Sequence, residues 1–534
     1  MQGDLSVLKE RVSPLFYFCA FGLVCSLLLG GGAGTGFLSD ALLQLLSLPL
    51  LVAALWRIID TPLSPEIRRA LGFCAAILAL PLAQLLPLPP VIWTNLPGRE
   101  TMVAAFELVG RDLPWAPLSM SPSGTWLGAL ALLPPLAVFL GALLLHHRER
   151  RWLSLVVLAV GLASVFIGLM QVAQGLSSPL WFSESPTPNE AVGFFLNRNH
   201  FAALLYSLIP LASAWVASGA SDIMTHVRDR SGKFDTMAIV TGVVGFAVIV
   251  ALIAGVLMAR SRAGVILTIA ALFGAFALTQ RDQRAENGAA PVRLMLGAVA
   301  LAIVFSLQFA LYRVLERFNP DALADTTRQA LARNTIEVAK SLMPFGAGQG
   351  AFVPVYAMFQ QPQDMVANSY INHAHNEFLQ LWLESGVAGP ILIGAFAIWF
   401  VLTSTEVWRR SYVEGLAIDR SLTRASSLII ALLAAHSLVD YPLRTGAMMA
   451  VLAFACALLI APPTGSPGEE RDAAGIEEEA PQRRRRHRDQ ATERPTPSAP
   501  GAPPLNNEPE ASPPPSRSKP AAPQEPMEWP KEWR

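Results

Sequence analysis

Two histidines, two side-chain amides and two carboxylates lie within twelve residues of the chain, in the stretch from His373 to Glu384. A neutral imidazole can accept a proton from a hydroxyl near neutral pH. If the stretch becomes helical at Asn376, then Glu377, Gln380 and Glu384 form one polar stripe. The stripe predicts either a water-accessible cavity at the mouth of a membrane helix or an interfacial helix with a wet face.

Three arginines lie at the ends of apolar runs, where they could bind an anion. Arg198 lies in the segment Gly193–His200, and Arg260 and Arg262 lie in a tight turn between two runs. Arginine presents a planar fork of donors that fits phosphate oxygens and stays charged at any working pH. Two such forks beside a histidine indicate a diphosphate site with a base nearby. For a single arginine, the alternative is a side chain that snorkels to lipid headgroups.

The elements that must position these residues are membrane helices. Apolar residues make up 52% of the 534 residues and charged residues 15%, and many apolar runs exceed about 18 residues, enough to cross a bilayer. The sequence predicts an all-α polytopic bundle of about twelve spans. They are placed at residues 14–33, 38–56, 70–90, 123–145, 152–173, 200–219, 237–258, 263–280, 294–312, 386–404, 425–441 and 445–462.

The loops between these spans predict an orientation. Short loops such as 225–235 and 406–424 are dense in Lys and Arg, whereas the loops on the other side are longer and sparser in basic residues. The positive-inside rule then places both termini in the cytoplasm and the histidine stretch outside. The four cysteines lie within apolar runs without metal-ligand spacing, which favours packing roles.

The predicted domain organisation is a transmembrane domain, 1–462, followed by a tail, 463–534. The largest outer loop, 313–385, contains a helical pattern at 325–342 and the glycine-rich turn Gly346–Gly350. From about residue 463, Pro, Ala, Glu and Arg dominate. Such a segment buries too little apolar surface to offset its ordering entropy, so we expect a disordered cytoplasmic tail.

The chain resembles the O-antigen ligase/polymerase family of bacterial membrane glycosyltransferases. The family signature is satisfied by His375-Asn376, nine residues, Gly386, two residues and Gly389. Four other stretches are similar to family segments, namely Gly193–Phe201, Ser261–Gly264, the Arg328 segment that leads to Gly346–Gly350, and Ser437–Pro442. The resemblance covers about residues 150–462.

The resemblance implies a helical bundle in the bacterial inner membrane, with a large periplasmic loop over a lateral cavity. The donor would be a glycan on undecaprenyl diphosphate, and the acceptor a hydroxyl of lipid A-core or of another lipid-linked glycan. His375 would be the base in an inverting attack, while Arg262 (or Arg260 in its place) and Arg198 would bind the diphosphate. The resemblance implies no metal and no cofactor. Membrane lipids and other polysaccharide assembly proteins are expected partners, and nucleic acid is not.

Four residues are predicted to support this site: His373, Asn376, Glu377 and Arg328. Glu377 would orient His375 or face water. Arg328 would reach the phosphates or, as we favour, pin the loop helix to the headgroups. His373 and His375 could form a metal pair, but no third ligand presents itself. Asp440 is expected to be a helix-packing hydrogen-bond partner rather than a catalyst.

Several functions fit this pattern. A ligase would move a finished glycan to lipid A-core, a polymerase would extend a lipid-linked glycan, and a third relative would transfer glycan to protein hydroxyls. A flippase or other transporter is a different class, which is disfavoured because the polar residues gather at one membrane face and no halves repeat. A non-catalytic assembly partner should tolerate the loss of His375, whereas an enzyme should not.

Overall fold

The computed structural model describes residues 12–32, 38–182, 190–227, 236–284, 326–360, 371–409 and 417–462. The predicted span 294–312 and the tail 463–534 lie outside the described residues. The described chain is helical almost throughout, and it contains one short antiparallel pair between β1 (Pro87–Leu88) and β2 (Ala116–Pro117). The prediction of an all-α fold is therefore confirmed for this part of the chain.

The helices are numbered in chain order. They are α1 (Pro14–Leu29), α2 (Leu38–Asp60), α3 (Pro65–Gln84), α4 (Pro90–Trp93), α5 (Glu100–Leu108), α6 (Pro122–Leu130), α7 (Leu133–Leu143), α8 (His147–Gln174), α9 (Arg198–Val227), α10 (Thr236–Ala259), α11 (Arg262–Arg284), α12 (Thr326–Ser341), α13 (Phe352–Phe359), α14 (Glu377–Ser385), α15 (Ala388–Arg409), α16 (Ala417–His436) and α17 (Gly446–Leu459). Two short 3₁₀ turns, Gly175–Ser177 and Pro442–Arg444, follow α8 and α16.

Six segments of the described chain are long and apolar enough to cross a membrane: α2, α6 with α7, α8, α9, α11 and α15. Three shorter segments are also apolar, namely α1, the part of α10 from Val243 to Ala259, and α17. The predicted spans 70–90 and 425–441 correspond to α3 and α16, whose first turns carry charged residues. The protein is thus a membrane protein, and the count of about twelve spans stays a prediction.

Helix starts follow from local capping chemistry. The Ser13 hydroxyl accepts a hydrogen bond from the Phe16 amide at 3.3 Å, and Thr445 caps Met448 in the same way at 3.3 Å. Such a side chain satisfies one of the amides that a helix start leaves without a partner. Proline follows Ser13 at the first helical position, where its missing N–H costs nothing.

α9 is the central helix of the part of the bundle that lies next to the histidine stretch. It packs against α10, α11 and α16, and every residue from 201 to 214 is buried. A helix that is apolar on all sides requires cover on all sides, which explains this central position. α15 is the opposite case, because most of its surface is exposed and only Gly389 is buried. We attribute that exposure to contact with lipid.

The end of the bundle opposite the histidine stretch is held by Arg150. This buried side chain donates to the carbonyls of Ala142 at 3.1 Å, Leu143 at 2.7 Å and Ile460 at 2.6 Å. These carbonyls lie at the C-terminal ends of α7 and α17, where no intrahelical partner is available. One guanidinium therefore caps two helices at once.

The outer segments form a small core of their own. Buried side chains of α12, α13 and α14 meet there, including Val338, Phe352, Tyr356 and Leu383. The predicted helix at 325–342 is confirmed as α12. Gly346, Gly348 and Gly350 all have positive φ angles of 77°, 106° and 71°. The glycine-rich segment is therefore a close-packed turn, as predicted.

The glycine after α14 provides a stability test. Gly386 has a φ of 56°, and a Cβ added there would overlap the carbonyl oxygen of Pro344. We expect Gly386→Ala to destabilise the fold by about 1–3 kcal/mol from backbone strain alone. Thermal unfolding of the purified protein in detergent measures the effect. Gly394→Ala is the matched control, because a Cβ at Gly394 meets nothing within 4 Å. Equal unfolding temperatures for the two variants would contradict the prediction.

Candidate active site

The histidine stretch becomes helical where the sequence predicts. The Asn376 side chain caps α14 by accepting from the Leu379 amide at 3.0 Å, and its Nδ2 donates to the Leu438 carbonyl at 2.8 Å. The Glu377 amide also donates to the Ser437 carbonyl, at 2.9 Å. Asn376 therefore joins the start of α14 to the segment that follows α16.

The polar stripe of α14 faces protein rather than water. Gln380 and Glu384 are only 2% and 0% exposed. The Gln380 Oε1 atom accepts from the Ala374 amide at 3.1 Å and lies 3.2 Å from His373 Nδ1. Glu384 Oε2 accepts from Arg444 at 2.9 Å. The prediction of a wet stripe is wrong for these two residues, because internal hydrogen bonds replace water at both.

His375 lies directly before the cap and contacts a carboxylate from another segment. Its backbone has a φ of 49°, and its Nδ1 atom lies 3.2 Å from Oδ1 of Asp440. The His375 side chain is 29% exposed, whereas that of Asp440 is 2% exposed. The imidazole of His375 is therefore accessible to solvent, and the buried carboxylate of Asp440 supports it.

Asp440 is held as a carboxylate. Burial alone would raise its pKa, but the hydrogen bond to His375 and the neighbouring histidines bring that pKa below its usual range. An ionised carboxylate only accepts hydrogen bonds, so Nδ1 of His375 must carry the hydrogen. The lone pair then lies on Nε2. Asp440 is thus a hydrogen-bond partner, as the sequence predicts, and one of its partners is His375.

Two further donors hold the carboxylate of Asp440. Asn199 Nδ2 donates to Oδ2 at 2.5 Å, and the Tyr441 amide donates to Oδ1 at 3.0 Å. Asn199 belongs to the first turn of α9, next to Arg198. The loop that carries His375 and the start of α9 therefore meet at one carboxylate.

Arg198 lies at the N-terminus of α9 and forms an ion pair with the buried side chain of Glu190. The segment after Glu190 is held by Gln171, whose Oε1 accepts from the amides of Val192 at 3.2 Å and Gly193 at 3.0 Å. Sequence reasoning missed both Glu190 and Gln171. The local sequence around Glu190 and Gln171 does not indicate their roles, because their contacts join residues on different elements.

Arg260 and Arg262 lie in the predicted tight turn between α10 and α11. Arg260 has a φ of 53°, and Arg262 is the first residue of α11. The Gly264 amide donates to the Ser261 hydroxyl at 3.1 Å, and Gly264 packs closely against Ala202. The turn therefore lies beside the first turn of α9, which carries Arg198 and Asn199.

Two predicted supporting residues contact the segment around Asp440. Arg328 of α12 lies 3.4 Å from the Val439 carbonyl oxygen, so its guanidinium is directed toward the site. Glu377 accepts from the Leu443 amide at 2.6 Å. Part of the Glu377 side chain remains accessible, but its carboxylate is enclosed. Burial raises the pKa of this carboxylate to about 7, although the positive charge of Arg444 acts to lower it. Glu377 thus holds the backbone that follows Asp440.

No group of three or more His, Cys, Asp or Glu side chains that could hold a metal ion occurs in the part of the chain that the structure describes. His373 instead packs on Tyr441 and bonds to Gln380, so its ring is engaged in other contacts. The four cysteines, all within the described ranges, are free thiols.

The fold and the site define a helical membrane protein with an accessible imidazole at one end of its bundle. Residues 246–394 match a family model described as O-Antigen ligase. This match supports the assignment to the O-antigen ligase/polymerase family and, at family level, an O-antigen ligase-like membrane glycosyltransferase. A search of curated proteins gave no significant match. The matched residues include Arg260, Arg262 and His375, whereas Arg198 and Asp440 lie outside them.

Proposed function

We propose that the protein is an inverting glycosyltransferase that moves a glycan from undecaprenyl diphosphate to a sugar hydroxyl at the periplasmic face of the inner membrane. The observation that carries the proposal is the contact between His375 and Asp440. A buried carboxylate that fixes the tautomer of an accessible imidazole is an arrangement suited to general-base catalysis. The match to the O-antigen ligase family model supports a lipid-linked glycan as the substrate.

In the proposed reaction, Nε2 of His375 accepts the proton of the acceptor hydroxyl. The hydroxyl oxygen forms a bond to the anomeric carbon, and the bond from that carbon to the diphosphate oxygen breaks. The electron pair leaves with the diphosphate. Because the hydroxyl attacks in line, on the face opposite the leaving group, the anomeric configuration inverts. Asp440 stabilises the imidazolium that forms at His375, which lies 3.2 Å away. No metal is required by this scheme, since arginines compensate the leaving charge.

The diphosphate would bind where α9 and α11 begin. Both helices start at the same end of the bundle, and a helix N-terminus presents free amides and positive potential to an anion. Arg262 starts α11 and Arg198 starts α9. We assign the main phosphate contact to Arg262, because it follows Ser261 in the Ser-Arg turn that resembles the family segment. Arg328 and Arg260 would add positive charge nearby.

The acceptor decides between two forms of this function. A ligase would use lipid A-core, and a polymerase would use another lipid-linked glycan. Deleting the gene and examining surface and lipid-linked glycan distinguishes them. Full-length glycan left on the lipid carrier indicates a ligase, and single repeat units indicate a polymerase. Unchanged glycan on both the surface and the carrier would refute the proposed function, and donor retained on the cytoplasmic side would indicate a flippase instead.

Loss of the phosphate-binding arginine is expected to weaken donor use. We predict that Arg262→Ala lowers transfer by the purified protein by about 10²-fold, since a charge-assisted contact to the leaving group is lost. The KM for the lipid-linked donor should rise, and the KM for the acceptor should not. Arg262→Lys should recover part of the activity.

Arg281→Ala is the matched control, since Arg281 belongs to the same helix, α11, and contacts the carbonyl of Arg409 at 3.5 Å. This variant should transfer glycan at the normal rate. Equal rates for Arg262→Ala and Arg281→Ala would show that Arg262 does not bind the diphosphate.

A further inference from the structure

One phenol ring lies among three imidazoles at the site. The ring centroid of Tyr441 is 4.2 Å from that of His373, 4.9 Å from that of His375 and 4.9 Å from that of His200. The contacts with His200 and His375 are edge-on, and that with His373 is tilted. Tyr441 is 6% exposed. A buried aromatic ring with this geometry restricts the orientation of every ring that packs on it.

The hydroxyl of Tyr441 joins two segments that carry different parts of the site. Side-chain hydrogen bonds from Asn197 and Asn372 pull its pKa down, while burial raises the pKa to about 12. Asn197 directly precedes α9, and its Oδ1 accepts from the Asn199 amide at 2.8 Å. Asn372 directly precedes His373. The phenol therefore connects the arginine-bearing helix start to the histidine stretch.

The backbone of Tyr441 takes part as well. Its amide donates to Asp440 Oδ1 at 3.0 Å, and this is the oxygen that faces His375 Nδ1. Movement of Tyr441 would therefore change both the ring packing of His375 and the carboxylate that sets its tautomer. His200 is not held by hydrogen bonds through its ring, because neither of its ring nitrogens has a hydrogen-bond partner in the described ranges. Packing on Tyr441 is thus the main restraint on that ring.

We propose that Tyr441 is a positioning residue, which fixes His375 relative to the arginine-bearing start of α9. This inference rests on the proposed function. Tyr441 touches neither the glycan nor the diphosphate in this scheme, and it acts through His375 and Asp440. Its ring sets the direction of the His375 lone pair, and its hydroxyl sets the distance between the two segments.

The test compares Tyr441→Phe and Tyr441→Leu in the full-length protein. Tyr441→Phe keeps the ring and loses the two hydroxyl hydrogen bonds, each worth about 2- to 10-fold, so kcat should fall by about 5- to 30-fold. Tyr441→Leu removes the ring as well, and kcat should fall by about 10²-fold, the cost of a misplaced catalytic group. The donor KM should change by less than about 3-fold in both, because the arginines stay in place. Tyr356→Phe, which alters a buried tyrosine of the outer core, should leave kcat and both KM values unchanged.

A second readout does not depend on transferase activity. Diethylpyrocarbonate modifies the free imidazole nitrogen, and mass spectrometry of the His375 peptide gives its rate at each pH. We expect the pH profile of this rate to shift in Tyr441→Leu and, less, in Tyr441→Phe, and to match wild type in Tyr356→Phe. An unchanged profile and an unchanged kcat in Tyr441→Phe would overturn the inference, even if Tyr441→Leu does not fold. If the wild-type protein lacks transfer activity but the Tyr441 variants still show the shift relative to it, only the proposed function is refuted.

Discussion

Replacing His375 with asparagine should reduce glycan transfer by about 10³-fold or more while leaving the fold intact. A general base contributes about 10²–10⁴-fold, and an amide cannot accept the hydroxyl proton. Asparagine suits the position because His375 has a φ of 49° and asparagine tolerates a left-handed backbone. Initial rates with purified protein and a lipid-linked donor measure the effect. Thermal unfolding checks that the variant remains folded.

His147→Asn is the control for this substitution. His147 lies at the other end of the bundle, 3.7 Å from Asp419, and should not influence transfer. The His375 variant should also bind the lipid-linked donor with normal affinity, because its arginines are unchanged. Transfer within about twofold of wild type in a folded His375→Asn protein would remove the base from the mechanism.

Replacing Asp440 with asparagine should lower transfer by about 10²–10⁴-fold, the range seen when the carboxylate behind a catalytic histidine becomes an amide. Three donors face this carboxylate, from His375, Asn199 and Tyr441. An amide offers one oxygen and an NH₂ group, so one donor must face the NH₂. If the NH₂ group faces His375, the imidazole hydrogen moves from Nδ1 to Nε2. The Nε2 atom then has no lone pair to accept the hydroxyl proton.

The defect of Asp440→Asn should persist at every working pH, because the lowered pKa keeps the wild-type carboxylate ionised throughout. A pH–rate profile of kcat tests this point. Asp419→Asn is the matched control: Asp419 is also a buried carboxylate paired with a histidine and an arginine, but at the opposite end of the bundle. A normal rate for Asp440→Asn would mean that the carboxylate only packs the helices together.

Local sequence signals predicted the elements that carry the site. The helix start at Asn376, the glycine-rich turn Gly346–Gly350 and the tight turn at Arg260 all depend on residues close in sequence, and each occurs where the pattern placed it. The same is true of α12. Capping and backbone conformation are short-range effects, so a single sequence contains them.

The partners of the site residues were not predictable in the same way. Asp440 is 65 residues from His375, and Asn199 is 241 residues from Asp440. Only the packing of α9 against α16 brings them together. The polar stripe of α14 failed for a related reason: periodicity identifies a polar face, but water and buried hydrogen bonds satisfy such a face equally well. Whether water or protein satisfies the polar face of α14 depends on Arg444 and His373, which belong to neighbouring segments.

The left-handed backbone at His375 sets selection for stability against selection for activity at this position. A non-glycine residue with positive φ loses about 1–2 kcal/mol, which glycine or asparagine would recover in part. Only histidine at this position supplies a proton acceptor. Screens that select thermostable variants should therefore enrich glycine or asparagine at position 375 and discard activity in doing so, a stability–activity trade-off located at a single residue. Directed evolution of this enzyme for robustness must hold that position fixed.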